Sequence, residues 1–379
     1  MMSSCQVAGN AKKKRVCLIS YGNIYSLPFA NPYINCIEKE GLECVLLYWD
    51  RDENGGGRDL KLFPNYKHYI YKKEMHTGTG TILEKLKAYY GATKYFNKVL
   101  KEELFDGVVI LHTHAAIGCK RILKKYYTGK FIVDIRDYTL EDYQIYKRLE
   151  NSIFKRAYGA VISSPAYKKF LPERSYVMAH NYSEFPTANV NEIRNNYNKG
   201  FPINIGFVGT VRFYGMDKKV LDLFGNDDRY KISYYGSGSE PLKKYSEEKG
   251  ISNFVSTGTF PPSKILENYK GVTLINNLYG NHDNYLDYAL SNKLYHAIQL
   301  HIPLLVCPDT YMEEIVTKYN LGFVVNVDDT ETPNYLASAF QSFNWAKFYE
   351  GCDKLISQVI EENRLFDEFR SSFVRSLLA

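Results

Sequence analysis

The feature that most constrains the fold is an alternation between short apolar runs and longer amphipathic stretches along the whole chain. Runs such as VCLISY, ECVLLYW and GVVILHTH are typical of buried strands, and the stretches between them carry apolar residues at helical spacing. Strands that alternate with helices favour βαβ units, in which helices cover a parallel sheet. The sequence therefore predicts an α/β fold.

The alternation occurs twice, and a polar segment separates the two occurrences. After His180, the segment SEFPTANVNEIRNNYNKGFP contains two prolines and precedes a new apolar run, INIGFVG. Polar, proline-containing segments are typical of domain boundaries, and 379 residues exceed what one hydrophobic core usually serves. We predict an N-terminal domain over 14–185, a C-terminal domain over 200–345, and a helical tail over 346–379 that could pack back across the boundary.

Cysteine spacing and hydropathy indicate the cellular compartment. The seven cysteines are widely spaced and form no C-x-x-C pair, which predicts reduced thiols rather than disulfides or a metal site. The basic N-terminal run precedes no apolar stretch of signal-peptide length, and no apolar run reaches the ~20 residues that span a bilayer. The expected localisation is the cytoplasm.

Basic residues are concentrated in two predicted helices of the first half, from Lys85 to Lys101 and from Lys120 to Lys130, in a chain of net charge +6. Such clusters suit an anionic lipid surface or a diphosphate-linked acceptor, and they equally suit a solvated helix face. Peripheral contact with the inner face of the membrane therefore stays an open alternative. Acidic residues are interspersed and no nucleic-acid-binding motif occurs, so nucleic acid is not an expected partner.

Candidate site residues are sought after the strands, because ligands of open parallel sheets bind outside the strand carboxyl ends. The loop GFVGTVRFYGMDKK places Gly209 at a strand end, Arg212 in the loop and Lys218 in the next helix. Glycine allows close backbone approach, a helix N-terminus directs N–H groups outward, and basic side chains complete a diphosphate clamp. An ordinary βα turn with surface bases would show the same pattern.

The segments of the second half occur in a recognisable order: the strand ends GFVGTVRFYG, YYGSGSE and NFVSTGTF, the loop LINNLYGNHDN, the helix start SNKLYHA and the strand IPLLVC. This order resembles family four of the retaining nucleotide-sugar glycosyltransferases, and SNKLYHA resembles the subtype of capsular and exopolysaccharide enzymes. The resemblance implies the GT-B fold, in which two tandem Rossmann-like doubly wound domains flank an interdomain cleft. It also implies transfer of a sugar from a nucleotide-diphosphate donor to a glycan or lipid-linked acceptor in capsule, exopolysaccharide or lipopolysaccharide synthesis.

The resemblance implies roles for individual residues of the second half. The donor diphosphate would be bound by Gly209, Arg212, Lys218 and Lys293, and the nucleotide and sugar by Gly236, Gly238, Thr259, Asn277, Tyr279, Asn292 and His296. One departure is clear: many members carry two glutamates in an E-x7-E spacing, and Tyr288 and His296 stand at those positions here. His296 then either hydrogen-bonds the ribose or packs as a helix residue.

In the first half, the resemblance assigns His114, in the strand end ILHTHAA, to the approach of the transferred sugar, which makes it the candidate catalytic residue. A histidine whose ring is satisfied by the backbone is the alternative reading. The acceptor side of the cleft would be formed by strand-end residues of this half: Gly22, Asn23, Asp134 and Arg136.

The expected chemistry needs no metal or other cofactor, because basic groups can stabilise the charge of a departing nucleoside diphosphate. The only D-x-D sequence, Asp50-Arg51-Asp52, follows a strand of the first half and fits a solvated turn better than a metal site.

Two other functions stay admissible on the sequence. A nucleotide-sugar 2-epimerase shares the GT-B architecture but needs paired carboxylates for acid and base work, and the missing donor-loop glutamates count against it. A non-catalytic sugar-nucleotide-binding protein would have kept the fold and lost the chemistry, which the same absence allows.

Overall fold

The computed structural model describes residues 13–52, 57–74 and 81–379. Residues 1–12, and two of the three glycines of the segment DENGGGRDLK, lie outside these ranges. The chain divides into two compact units, the first made of 1–179 with 363–379 and the second of 180–362.

The first unit contains a parallel sheet whose strands, in the part of the chain that the structure describes, number seven, in the order β3-β2-β1-β4-β5-β6-β7. The strands are β1 (Arg15–Ser20), β2 (Glu43–Asp50), β3 (Lys67–Lys72), β4 (Gly107–Leu111), β5 (Phe131–Ile135), β6 (Gly159–Ile162) and β7 (Val177–Met178). The helices are α1 (Asn31–Lys39), α2 (Arg58–Leu62), α3 (Ile82–Glu103), α4 (Thr113–Gly118), α5 (Lys120–Tyr126) and α6 (Gln144–Phe154).

The core of the first unit also uses the end of the last helix, α14 (Trp345–Ser376). Its residues Phe366 and Phe373 are buried in one cluster with apolar residues of β1, β2 and α1. Glycine begins two of the strands at this contact: a Cβ on Gly107 would lie 2.3 Å from Leu377 Cδ1, and a Cβ on Gly159 would lie 2.5 Å from the Phe369 ring. The absence of a side chain at these two positions therefore lets the helix end pack directly on the sheet.

The second unit contains a parallel sheet in the order β10-β9-β8-β11-β12-β13, six strands within the described residues. The strands are β8 (Ile203–Val208), β9 (Tyr230–Tyr235), β10 (Phe254–Ser256), β11 (Leu274–Asn277), β12 (Leu304–Val306) and β13 (Gly322–Val324). The helices, besides residues 345–362 of α14, are α7 (Thr187–Asn195), α8 (Tyr214–Phe224), α9 (Glu240–Lys249), α10 (Asn284–Asp287), α11 (Asn292–Leu300), α12 (Tyr311–Tyr319) and α13 (Thr332–Gln341).

Helices cover the second sheet in two separate hydrophobic layers. One layer joins the sheet to α7, α11, α12 and the first part of α14, and the other joins it to α8, α9 and α13. The two parallel sheets with flanking helices confirm the predicted α/β fold of two doubly wound units. Every helix of the described residues is too short or too polar to cross a bilayer.

The spacing of apolar residues in PSKILENYK predicts a helix, and this prediction is wrong. The segment forms two short 3-10 turns, Pro262–Lys264 and Glu267–Tyr269, instead of an α-helix. Pro261 and Pro262 offer no backbone N–H groups, and Lys270 turns back to an extended conformation after only two turns. The six cysteines in the described residues are free and buried, as predicted.

Candidate functional site

The strand ends of β8 and β9 meet through glycines. Gly209 and Gly236 adopt φ values of +142° and +138°, and a Cβ on Gly236 would lie 1.9 Å from the Gly209 carbonyl oxygen. The backbone N–H of Val211 donates to the Ser237 carbonyl at 2.9 Å, and a Cβ on Gly238 would lie 3.0 Å from the Val211 carbonyl oxygen. Only glycine fits this approach of two backbones, so the structure brings together the predicted residues Gly209, Gly236 and Gly238.

Lys293 lies beside this glycine pair, in the first turn of α11. Its side chain is nearly buried, and its Nζ lies 3.9 Å from the centre of the Phe207 ring and 4.7 Å from that of Tyr279. The ammonium donates a hydrogen bond to the Tyr279 hydroxyl, and a Cβ on Gly209 would lie 3.8 Å from Nζ. No carboxylate of the described residues forms an ion pair with Lys293. The structure thus holds a cation among aromatic rings at a helix N-terminus, where the helix dipole does not favour a positive charge.

Behind the Phe207 ring lies a chain of buried hydrogen bonds. The Phe207 and Tyr234 rings stack at 5.0 Å, the Tyr234 hydroxyl donates to Asp217 Oδ1 at 2.8 Å, and Asn276 Nδ2 donates to Tyr234 at 2.9 Å. Burial raises the pKa of Asp217 to about 6, against the opposing effects of the Tyr234 hydrogen bond and the Lys293 charge. Tyr234, Asp217 and Asn276 were not among the predicted site residues, although an aspartate in the first helical turn after GFVGTVRFYG was a usable signal.

His296 lies one turn further along α11. Its Nδ1 is 2.8 Å from the hydroxyl of Tyr269, whose phenol is completely buried and has no other acceptor among the described residues. Burial, and then the charge of Lys293, lower the pKa of His296 to about 4, so the ring is neutral near pH 7. Since Tyr269 must donate to Nδ1, the His296 proton resides on Nε2 and the ring offers a donor there.

The remaining residues predicted in this unit differ in their surroundings. Asn277 is buried at the end of β11, and its Oδ1 accepts no hydrogen bond from any described residue. Arg212, Thr259 and Asn292 are exposed. Lys218 is exposed on α8, where its Nζ lies 5.0 Å from the Tyr245 ring centre of α9. The structure does not bring Lys218 into the cluster around Lys293.

In the first unit, His114 follows β4 within an aromatic cluster. Its ring stacks on that of His112 at 5.6 Å and lies 5.4 Å from Tyr21 and 6.2 Å from Tyr89. Burial, followed by the charges of His112 and Arg51, lowers the pKa of His114 to about 3. A neutral imidazole can exchange hydrogen bonds with a sugar hydroxyl, but it is not a strong acid near pH 7.

The predicted acceptor-side residues of the first unit make extensive internal hydrogen bonds. Asn23 Nδ2 donates to Asp50 at 2.9 Å and to Asp59 at 3.2 Å, which fixes the loop after β1. Arg136 forms a bidentate pair with the buried Asp134, at 2.6 and 2.8 Å. Gly22 donates its N–H to the Ser20 hydroxyl at 3.0 Å. These bonds position the strand-end loops, and the Asp134 carboxylate is already paired with Arg136.

No group of three or more His, Cys, Asp or Glu side chains within the described ranges is arranged to hold a metal ion.

No protein-family model and no curated protein matches this sequence. Solved structures do match. Sucrose-phosphate synthase from Thermosynechococcus elongatus has a TM-score of 0.65 at 11% identity, covering 95% of this chain and 100% of that one. HepE from Anabaena, solved in complex with UDP, gives the same four values. The lipopolysaccharide outer core galactosyltransferase WaaB has a TM-score of 0.61 at 16% identity, over 94% of this chain and 99% of that one. This likeness, together with the two parallel sheets, shows that the chain has the two-domain GT-B fold.

Proposed function

We propose that this protein is a glycosyltransferase that moves a sugar from a nucleoside-diphosphate donor to a glycan or lipid-linked acceptor. The observation that carries the proposal is Lys293, a buried ammonium without a carboxylate partner, placed beside Gly209 at the N-terminus of α11. A diphosphate would supply the missing negative charge, and a helix N-terminus adds N–H donors to it. The unpartnered Asn277 Oδ1 adds a buried acceptor for a donor hydroxyl or N–H at the neighbouring strand end.

The mechanism follows from where charge develops. As the bond between the sugar carbon and the diphosphate oxygen breaks, negative charge grows on the leaving group, which Lys293 and Arg212 would stabilise. Such stabilisation requires no metal, and retention of configuration is the outcome that the resemblance of the sequence implies. His114, being neutral, would orient a sugar hydroxyl by hydrogen bonding. Exposed Lys218 is the weakest member of the proposed diphosphate site.

The neighbours support a nucleotide-sugar partner and suggest a setting. HepE was solved with UDP-glucose as well as with UDP, and WaaB is named for transfer to the outer core of lipopolysaccharide. We place this chain in surface polysaccharide synthesis on these grounds and on the resemblance of SNKLYHA to capsular enzymes. His296 would donate a hydrogen bond from Nε2 to the donor ribose. The glutamate that many members of the resembling family carry at this position would instead accept a hydrogen bond from the ribose. The proposed location is the cytoplasm, with peripheral contact to the membrane.

The test is the release of nucleoside diphosphate from UDP-, GDP-, ADP- and TDP-sugars, measured with chelator present for wild type and Lys293→Met. Methionine keeps the apolar stem but removes the charge. We expect one donor to be consumed by the wild type, and turnover by the variant to fall about 100-fold or more. The matched control is Lys264→Met, which removes an exposed lysine paired with Glu267 and should leave turnover unchanged.

Calorimetric binding of UDP and GDP separates enzyme from non-catalytic binding protein. Binding that Lys293→Met weakens, without turnover of any donor even with lipid-linked acceptors present, would favour a sugar-nucleotide-binding protein. Equal binding of UDP and GDP by the wild type and by Lys293→Met would contradict the placement of the diphosphate at Lys293.

A further inference from the structure

The outer face of α3 carries apolar side chains that nothing in the described residues covers. Leu83, Leu86 and Tyr90 are 60%, 61% and 72% exposed, at spacings of three and four residues that place them on one side of the helix. The opposite side of α3 is buried through Ala92 and Phe96. An exposed apolar stripe at the start of a helix that already has a buried face indicates a second surface for contact.

The same outer face becomes strongly basic further along the helix. Lys87, Lys94, Lys98 and Lys101 are exposed, and α5, which packs beside α3, adds the exposed Arg121, Lys124 and Lys125. Exposed acidic residues of α3 are few: Glu84 caps the helix by accepting from the Thr81 N–H at 2.7 Å, and Glu102 lies near the other end. The face therefore combines an apolar end with an excess of positive charge.

This face adjoins the candidate catalytic residue. Helix α3 begins at the edge of the sheet where the strands have their carboxyl ends, because it follows β3. Tyr89, the neighbour of exposed Tyr90, turns inward, and its ring lies 6.0 Å from Tyr21 and 6.2 Å from His114. The first turns of α3 thus lie between solvent and the strand-end cluster around His114.

A second exposed apolar group lies at the same edge. Leu140 and Tyr143, which precede α6, and Ile145 in its first turn are 52%, 65% and 73% exposed. They follow β5, so they too stand at the carboxyl ends of the strands.

We propose that the outer face of α3, defined by Leu83, Leu86, Tyr90 and the lysines 87, 94, 98 and 101, docks on an anionic lipid membrane. The apolar side chains enter the interface while the lysines meet acidic headgroups, which is how amphipathic helices bind membrane surfaces. The inference rests on the proposed function for its purpose: a lipid-linked acceptor would then be presented at the edge of the sheet that carries His114.

The test is flotation of the full chain with vesicles of phosphatidylcholine alone and of phosphatidylcholine mixed with phosphatidylglycerol. We expect binding to the mixed vesicles only, with a partition coefficient that falls as salt is raised. Lys87→Gln/Lys94→Gln/Lys98→Gln should lower it about fivefold for each lysine removed. Leu83→Ser/Leu86→Ser/Tyr90→Ser should abolish it. The matched control, Val255→Ser/Tyr335→Ser/Ile360→Ser, removes exposed apolar residues elsewhere and should bind like wild type.

Equal binding to both kinds of vesicle, no binding to either, or an equal loss in the control would overturn the proposal. Concentration-dependent dimers in analytical ultracentrifugation that are lost in Leu83→Ser/Leu86→Ser/Tyr90→Ser would also overturn it, since a second copy would then cover the face. The lysine variant and the apolar variant should both keep the wild-type circular dichroism and the wild-type release of diphosphate from the donor. Vesicle binding without donor turnover would contradict the proposed function alone, and turnover without vesicle binding would contradict the docking surface alone.

Discussion

Lys293 occupies a position that is unfavourable in the absence of a ligand. A buried ammonium among Phe207 and Tyr279 loses hydration, and one hydroxyl hydrogen bond only partly replaces it. The resemblance of SNKLYHA to the capsular subtype predicts Lys293 as a diphosphate ligand, and the structure places it two residues after Ser291, the N-cap of α11. Of the two rings around the ammonium, Tyr279 was among the predicted donor-site residues and Phe207 was not, since a chain with 21 Phe offers no way to select one ring within a buried strand.

Asp217 gives a residue-scale prediction of pH dependence. Burial raises its pKa from 3.8 to about 6, so the folded state holds a proton that the unfolded state releases. Its contribution to stability is complete below pH 3.8 and is lost as pH rises through 6. Asp217→Asn keeps an acceptor for the Tyr234 hydroxyl but removes the titration. We expect the variant to be more stable than wild type by up to about 3 kcal/mol above pH ~6.

The measurement is urea unfolding of both proteins across the acidic range. The difference between them should vanish towards the lower end of that range, where the aspartate is protonated in both states. Asp222→Asn is the matched control, because Asp222 lies on the same helix but is exposed beside Tyr245. A pH-independent difference for Asp217→Asn would contradict the raised pKa.

Among the elements, fully buried strands were easier to predict from the sequence than the half-buried edge strand β3. Strands β8 and β12 lie within the apolar runs INIGFVG and IPLLVC, because strands that are buried on both faces show continuous apolar sequences. Strand β3, with the sequence KHYIYK, was missed: it lies at the sheet edge, where half-buried residues mix with polar ones.

The contact of α14 with the first sheet gives an element-scale prediction. Gly107→Ala places a Cβ where Leu377 Cδ1 now lies 2.3 Å away, so the helix end or the strand must shift. We expect a loss of about 1 to 3 kcal/mol in the free energy of unfolding, typical of overpacking. In the double variant Gly107→Ala/Leu377→Ala the clash is absent. The losses of unfolding free energy in the single variants Gly107→Ala and Leu377→Ala should therefore sum to more than the loss in the double variant.

Chemical denaturation of the four proteins in this cycle measures the coupling. The control is Gly215→Ala in α8, where a Cβ meets nothing within 4 Å, and its free energy of unfolding should change little. Strictly additive losses would show that Leu377 does not confine Gly107.

For the whole molecule, buried titratable groups predict a stability maximum near neutral pH. Burial is the largest cause of the lowered pKa values of His114, about 3, and of His296 and His301, about 4. The unfolded chain binds protons at these sites below pH ~6.5, so the free energy of unfolding should fall as pH falls. Burial, and then the neighbouring Glu141, raise the pKa of Glu150 to about 9, so the stability it contributes is lost as pH rises from 4.5 towards 9.

Denaturation midpoints measured at about pH 5.5, 7 and 8.5 would show both the loss of stability towards acidic pH and the loss towards alkaline pH. Between pH ~4.5 and ~6.5 the raised pKa values of Glu150 and Asp217 act against the lowered pKa values of the three histidines, so stability falls less steeply on the acidic side than the histidines alone would cause. Glu150→Gln should remove the loss of stability towards alkaline pH and leave the loss of stability towards acidic pH unchanged. A midpoint for wild type that still rises at pH ~8.5 would contradict this assignment.

The last helix sets an order of events during biosynthesis. The second unit is one continuous stretch, 180–362, whereas the first needs residues 363–379 to complete its core. A ribosome delivers the chain from its N-terminus, so Phe366, Phe373 and Leu377 emerge after every strand they cover. Domains usually mature in the order of their synthesis. Here the half made first must wait, with one flank of its sheet uncovered, until the half made second has left the ribosome.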